Sequence, residues 1–169
     1  MADVFIEHLV AKKKTGSARL KGMAYIFALV ILIAVTLMVD ILIMLLPAAV
    51  IGGIWLVFRL IRNLDMEFEY IVTNGELDID RIVGRRKRKR LLTIHSRSFE
   101  ILAPDRPQYF SEYERAEFKQ RIDASSGAGA PRFFAVGPSK EGGRLLLYFE
   151  PNARMLEAFR TYNPRAVKQ

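Results

Sequence analysis

"MEFEYIVTNGELDIDRIVGRRKRKRLLTI", residues 66–94, decides the fold. In "MEFEYIVT" the residues Met66, Phe68, Tyr70 and Val72 alternate with Glu67 and Glu69. That period of two is the signature of a strand with one buried face. Asn74-Gly75 follows, a pair suited to a two-residue hairpin turn because both positions of a type I′ turn need positive φ. "ELDIDRIV" then reads as the returning strand, with Leu77 and Ile79 inward and Asp78 and Asp80 outward. Gly84-Arg85 supplies a second turn, and "KRKRLLTI" a third strand. The stretch is an antiparallel meander with a run of six cations, Arg85, Arg86, Lys87, Arg88, Lys89 and Arg90, at its second turn.

Downstream, "SRSFEILAP" reads as a short strand or turn. "SEYERAEFKQR" has helical composition but a weak apolar stripe, "IDASS" suits another short strand, and "SSGAGAP" is a loop. "RFFAV" and "RLLLYFE" flank "GPSKEGG" as a hairpin with a longer loop. "EPNARMLEAFRTYNPR" predicts a terminal helix. Pro151 suits its first turn, Met155, Leu156, Phe159 and Tyr162 share one stripe, and Pro164 stops it. Several antiparallel strands closed by a C-terminal helix, over about residues 66–165, make an α+β domain with the element order of pleckstrin-homology-like (PH-like) domains.

Upstream, residues 24–58 carry a single charge, Asp40. One helix of that length would measure roughly 50 Å, against a hydrocarbon core about 30 Å thick. Tilt absorbs little of such an excess, so the stretch folds back as a two-helix transmembrane hairpin across residues 20–62. A carboxylate at the bilayer centre costs roughly 2.5–3.5 kcal/mol, which puts the turn at Asp40 and the spans at about 20–39 and 42–62. Pro47 then lies near the start of the second helix, where a missing N–H is tolerated. Lys12, Lys13, Lys14, Arg19 and Lys21 precede the first span, and Arg59 and Arg62 close the second. Basic flanks on both sides place both termini in the cytoplasm by the positive-inside rule. The protein is therefore expected in the cell membrane as a multi-pass protein. Residues 1–19 form an amphipathic, basic N-terminal segment. "MADVFIEHLV" sets Val4, Phe5, Leu9 and Val10 at rough helical spacing, which suggests a short helix lying on the membrane or docked on the domain.

The 169 residues hold 26 Lys and Arg against 18 Asp and Glu, and no cysteine. Thiolate metal sites and cysteine nucleophiles are thereby excluded. His8 and His95 are far apart in sequence, and no metalloprotease, P-loop or nucleophile-elbow pattern occurs. The sequence predicts no enzyme, no cofactor, no metal and no small-molecule substrate. Asp78 and Asp80 could hold a hard cation, but pairing with the neighbouring Lys and Arg accounts for them more simply.

Taken together, "MADVFIEHLV", "VTNGELDID", "KRKR" and "FEPNARML" resemble a bacterial family of small two-span membrane proteins. That family has a PH-like cytoplasmic domain and is itself a domain of unknown function. The resemblance covers nearly the whole chain and implies architecture, not activity.

Three readings of the six cations compete. Pairing with Asp78, Asp80 and the Glu67–Glu69 strand comes first, together with contact to anionic phospholipid headgroups, where Lys and Arg gain on the order of 1 kcal/mol each. Nucleic-acid binding ranks last, because no aromatic platform interleaves the cations. The expected function is a non-enzymatic scaffold or interaction module at the inner membrane face. The alternative is a subunit of a larger membrane transport or secretion complex, in which the spans meet a membrane protein partner or a second copy. Gly52-Gly53 would permit close helix approach there, although packing against the chain's own first span explains the pair equally.

Overall fold

The computed structural model describes residues 4–168. In chain order the elements are β1 (Phe5–Ala11), α1 (Gly16–Met38), a 3₁₀ turn (Asp40–Leu45), α2 (Leu46–Arg62), β2 (Met66–Thr73), β3 (Glu76–Val83), β4 (Lys87–His95), β5 (Ile101–Pro104), α3 (Pro107–Phe110), β6 (Phe118–Asp123), β7 (Phe133–Pro138), β8 (Arg144–Phe149) and α4 (Ala153–Tyr162). Two compact units result. One holds the N-terminal residues through Lys13 together with 67–82 and the chain from 86 onward. The other holds 14–66 with 83–85.

The first unit is built from two four-stranded sheets, ordered β1-β2-β3-β4 and β5-β7-β8-β6. The meander forms as its turn chemistry dictates. Asn74 and Gly75 have φ of 49° and 85°, and Gly84 and Arg85 have φ of 60° and 57°. Phe68, Tyr70 and Val72 of β2 and Leu77 and Ile79 of β3 are buried, as the alternation requires. The second sheet pairs β7 antiparallel to both β5 and β8. Its last pair departs from the antiparallel expectation, since β6 runs parallel to β8 with an irregularity between Phe118 and Gln120. The tail beyond α4 bridges Val167 to Leu102 of β5.

Aromatic contacts link the inner sheet faces to the terminal helix. Tyr70 meets Phe149 edge-on at 5.7 Å between ring centroids, Phe149 meets Phe159 at 6.3 Å, and Phe99 meets Phe159 at 5.9 Å. The Tyr70 hydroxyl donates to the Ala124 carbonyl at 2.6 Å, so the buried phenol keeps a partner. That burial pushes its pKa upward. Asn152, one residue beyond the expected proline, caps α4 by accepting from the Met155 amide at 2.9 Å. Met155 and Phe159 are buried, as the stripe predicts. At the other end of α4, the Asn163 side chain donates to the carbonyls of Ser96 and Phe99 at 3.0 and 3.1 Å.

Two expectations are corrected. The N-terminal segment is a strand, not a helix. Phe5–Ala11 pairs antiparallel with β2, from Phe5 opposite Thr73 to Ala11 opposite Glu67. Ile6, His8 and Val10 alternate toward the interior, a period-two signal that the adjacent pairs Val4-Phe5 and Leu9-Val10 disguised as helical; residues 1–3 lie outside the described residues. The stretch 111–121 is likewise not a helix. A single 3₁₀ turn, Ser111–Tyr113, follows the short α3, and the chain then extends into β6. Its apolar residues serve as a cover instead. Tyr113 and Phe118, together with Tyr109 and Phe110 of α3, pack on the buried cluster of Ile101, Ala103, Phe134, Val136 and Leu146.

The second unit is the apolar hairpin. The turn lies at Val39-Asp40, and Pro47 sits in the first turn of α2. Six residues of 3₁₀ helix precede α2, a form common at helix starts. Gly16–Met38 and Asp40–Arg62 are each 23 residues long, about 35 Å as helix, long enough for the hydrocarbon core. A core helix of a water-soluble domain would be buried, whereas 6% and 0% of the most apolar window of each is buried here. The chain thus has two helices fit to cross a membrane, and the structure supports membrane association. Thr36 satisfies its hydroxyl within α1 by donating to the Leu32 carbonyl at 2.8 Å. A Cβ on Gly53 would stand 2.3 Å from Leu29 Cδ1, whereas one on Gly52 would meet nothing within 4 Å. Gly53 is therefore used by the packing of the hairpin on itself.

Candidate functional site: the charged face of the first sheet

β2, β3 and β4 bring three rows of charge together on the outer face of the first sheet. Glu69 comes from β2, Asp78 and Asp80 from β3, and Arg88 and Arg90 from β4. The Arg88 guanidinium meets both Glu69 oxygens, at 2.8 and 2.6 Å, and approaches Asp80 at 3.9 Å. Arg90 forms a forked pair with Asp80 and a 2.6 Å contact with Asp78. Thr93 completes the set by donating to Asp78 at 2.6 Å.

These pairs are unequal in exposure. The Glu69 and Asp80 side chains are 5% and 2% exposed, whereas Arg88 and Arg90 are about half exposed, at 55% and 46%. The two guanidinium groups act as lids on carboxylates that would otherwise be stranded, and such charges are tolerable only when paired. Asp80 raises the Arg90 pKa by its hydrogen bond, helped by the charge of Asp78. Glu69 moves the other way from an ordinary salt-bridged acid. Burial raises its pKa, a shared hydrogen bond with Glu7 of β1 raises it further, and Arg88 opposes both. Glu7 and Glu69 lie diagonally across the β1–β2 pair, since Glu7 is opposite Ile71 and Leu9 opposite Glu69.

The strand carrying the cations breaks its own alternation. Arg88 and Arg90 face the carboxylates, yet Leu92 and Ile94, of the same parity, are buried in the core. Thr93 reaches the same Asp78 as Arg90, three residues away. The faces reverse between Arg90 and Leu92, an inversion of the kind that one extra residue in a strand produces. A strict period of two cannot assign the run's cations to a face for this reason.

The six cations therefore divide. Arg88 and Arg90 are consumed by the acidic row. Arg86, Lys87 and Lys89 are exposed, and their side chains form no ion pair or hydrogen bond with the described residues. Arg85 lies in the turn and belongs to the hairpin's unit. Asp78 and Asp80, weighed as a cation site in the sequence, are instead held by Arg90, and the described residues contain no cluster of three acidic, His or Cys side chains fit for a metal ion. Both histidines pack on tyrosines, His8 on Tyr70 and His95 on Tyr162. His95 Nδ1 also accepts from the Arg97 amide at 3.1 Å.

Two sheets, a closing helix and an apolar hairpin give the expected element order, and residues 2–169 match the family described as bacterial PH-like domain, DUF6106. The chain belongs to this family. No curated protein and no solved structure matches it. The bacterial PH-like domain is a domain of unknown function, not a known class of enzyme. In this member the hairpin interrupts the domain, because the adjacent, paired strands β1 and β2 lie on either side of it in the sequence. The signal for β1 was present in Ile6, His8 and Val10, but five to seven residues support a helix and a strand almost equally.

Proposed function

We propose that the protein is a two-span protein of the cell membrane with both termini in the cytoplasm. Its PH-like domain acts there as a non-enzymatic scaffold or interaction module whose exposed cations rest on anionic lipid. The division of the basic run carries this reading. Arg88 and Arg90 neutralise buried carboxylates, while Arg86, Lys87 and Lys89 remain unpaired among the described residues and available to an outside anion. Three such residues contribute about 3 kcal/mol near an anionic surface. That is too little to recruit a free domain tightly but enough to orient one already tethered. Basic flanks at both ends of the hairpin support the topology.

The test uses the full chain in lipid nanodiscs. The protein lacks cysteine, so Lys87→Cys and, as a control on the β7–β8 loop, Lys140→Cys each give one labelling position. Headgroup-quencher lipids should quench a fluorophore at Lys87→Cys more than one at Lys140→Cys in phosphatidylglycerol discs. The difference should fade at high salt and in phosphatidylcholine discs. Equal quenching in all conditions would refute the lipid contact. Tags at both termini should be accessible from the cytoplasmic side and a tag beside Asp40 from the other; opposite sides for the two termini would refute the topology.

A second reading, a subunit of a larger membrane transport or secretion complex, is favoured by Gly52, which has open space beside it where Gly53 does not. Under it, Gly52→Leu abolishes co-purification of a membrane partner while leaving the chain folded.

A further inference from the structure

The first unit exposes two large apolar side chains, and both lie on β1. Phe5 is 66% and Leu9 52% exposed, while the other exposed large apolar residues among those described all belong to the hairpin. β1 is also an edge strand of its sheet. Its backbone direction is fixed at Val4, whose carbonyl accepts from the Asn74 amide at 3.0 Å and whose amide donates to the Asn74 side chain at 3.1 Å. In an antiparallel ladder the groups facing the neighbour recur every second residue. Ile6, His8 and Val10 therefore bond toward β2, and the amides and carbonyls of Phe5, Glu7, Leu9 and Ala11 point along the open edge. The edge closes at Lys13, whose amide donates to the Ser126 carbonyl at 2.8 Å. The three other edges of the two sheets are guarded. β5 is covered by the tail, with Leu102 donating to the Ala166 carbonyl and accepting from the Lys168 amide, both at 2.8 Å. β4 exposes Lys87 and Lys89, and β6 exposes Lys119 and Arg121. Covers and charges of this kind keep edges from pairing. β1 instead sets a single carboxylate, Glu7, between two exposed apolar residues.

We infer that β1 pairs antiparallel with β1 of a second copy of this chain, joining two four-stranded sheets into one of eight. A twofold contact uses the same patch on both copies, and an antiparallel pair of identical strands is such a contact. Residues opposite each other share a face, so the stripe of Phe5, Glu7, Leu9 and Ala11 meets its own copy. A pair centred on Glu7 would set two carboxylates against each other, which is destabilising. A pair centred on His8 sets Glu7 opposite Leu9 and Phe5 opposite Ala11, and uses all seven residues of β1. It also gathers Phe5 and Leu9 of both copies on one face. This second register is the one assigned. A lipid headgroup lacks the alternating donors and acceptors that a strand edge takes, whereas a second copy has them in register. Seven residues a side fall short of the roughly 20–30 of a stable interface. Copies tethered in one bilayer meet at high local concentration, which offsets the shortfall. The inference rests on the membrane reading for that concentration and uses none of the cations of β4.

Disulfide trapping of the full chain in membranes tests it, since the protein has no cysteine of its own. In the assigned register His8 meets His8 of the second copy as a non-hydrogen-bonded pair, with Cα atoms about 4.5 Å apart, within reach of a disulfide. His8→Cys should give a crosslinked dimer on mild oxidation, at a dilution in lipid where Lys140→Cys gives none. In the His8→Cys background, Leu9→Glu sets a carboxylate opposite Glu7 at two symmetry-related places and should lower the dimer yield about tenfold. Leu9→Lys sets an opposite charge there and should lower it less. Phe5→Ser with Leu9→Ser, which adds no charge beside Glu69, should lower it as well. Native mass spectrometry of the parent in mild detergent should show dimers that Leu9→Glu converts to monomers. The triple change of Arg86, Lys87 and Lys89 to Gln should leave the dimer intact while removing the salt-sensitive quenching, so the pairing and the lipid contact fail separately. The tags at the two termini test the topology independently of both. A His8→Cys yield no higher than that of Lys140→Cys, or a yield unchanged by Leu9→Glu, would overturn the pairing. Crosslinking through Glu7→Cys in preference to His8→Cys would overturn the register. Crosslinking of His8→Cys to a different protein would overturn the second copy as the occupant of the edge.

Discussion

The two turns at the ends of β3 have the same backbone chemistry and different surroundings. Asn74-Gly75 and Gly84-Arg85 are both pairs with positive φ, and both are readable from sequence as glycine-bearing two-residue turns. A Cβ on Gly75 would stand 2.6 Å from the Tyr162 ring of α4, so this turn is part of the closure of the domain by its terminal helix. A Cβ on Gly84 would stand 3.1 Å from Asn63 Oδ1 and 3.2 Å from the Arg62 carbonyl, so that turn is part of the hairpin's unit. One strand thus ends in two different compact units. Turn chemistry is local and survives in the sequence. What a turn packs against is decided by residues some 90 or 20 positions away, and leaves no mark in the turn itself.

The comparison breaks most severely at Gly75. Gly75→Val puts a β-branched residue at φ of 85° and drives it into the Tyr162 ring. Strain and overpacking together should cost about 3 kcal/mol, read as a lower melting temperature of the full chain in detergent. Gly75→Val with Tyr162→Ala should recover the overpacking part and leave the strain. No recovery would mean that the turn does not bear on α4.

Arg90→Met is next, at about 2 kcal/mol. It strips the forked partner from Asp80, which is 2% exposed, and the 2.6 Å partner from Asp78. Breaking a fully buried pair costs more, but Arg90 itself is about half exposed, and water replaces part of what is lost. Arg90→Met with Asp80→Leu should be closer to the parent than the single change, since an apolar pair leaves no stranded charge. Lys89→Met, a neighbour with no partner among the described residues, should change stability by less than about 0.5 kcal/mol. Equal losses for Lys89 and Arg90 would erase the division of the basic run.

These contrasts show what the sequence could carry. The inner face of the meander, both turns and the β7–β8 hairpin were legible because each rests on neighbours within a few residues. The pairing of Asp78 and Asp80 with the cations was legible as charge complementarity. Four features were not. β1 is short, and its pairing partner lies beyond the whole hairpin. Residues 111–121 have polar, helical composition, but tertiary packing of Phe118 and Tyr113 on the second sheet overrides it. The identity of the paired cations depended on the reversal of faces after Arg90, for which no residue type signals. The parallel β6–β8 pair was hidden for the same reason as β1, since its contacts are set by register and not by local pattern.

Gly84→Ala follows, at about 1.5 kcal/mol. A methyl at φ of 60° is strained, but contacts of 3.1 and 3.2 Å are milder than the Tyr162 clash. The same assay that orders Gly75→Val above Gly84→Ala therefore tests whether the two turns are differently confined. Equal costs would reduce the difference to backbone strain alone.

The smallest effect concerns Glu69 and its dependence on pH. Burial and the hydrogen bond shared with Glu7 raise the Glu69 pKa, while Arg88 pulls it back, so the net change is the residue of opposing influences. A carboxyl whose folded pKa exceeds its unfolded value, about 4.3, binds its proton more tightly in the native state. Its contribution to stability is full below the unfolded value and is lost as pH rises through the folded one. Asp123 acts with the opposite sign: burial would raise its pKa, but hydrogen bonds from Ser125 and the charges of Lys12 and Arg132 prevail and lower it. Its contribution is present above the ordinary Asp value, about 3.9, and is lost only as pH falls below that, so the two windows adjoin without overlapping. Between about pH 4.5 and 7 the parent should therefore melt slightly higher at the acid end, and Glu69→Gln, which keeps the hydrogen bond but cannot ionise, should flatten that slope. Glu7→Gln should reduce it in part, because the two carboxyls share one hydrogen bond. A slope unchanged in Glu69→Gln would assign it to another group, and would mean that Glu69 is fully neutralised by Arg88 alone.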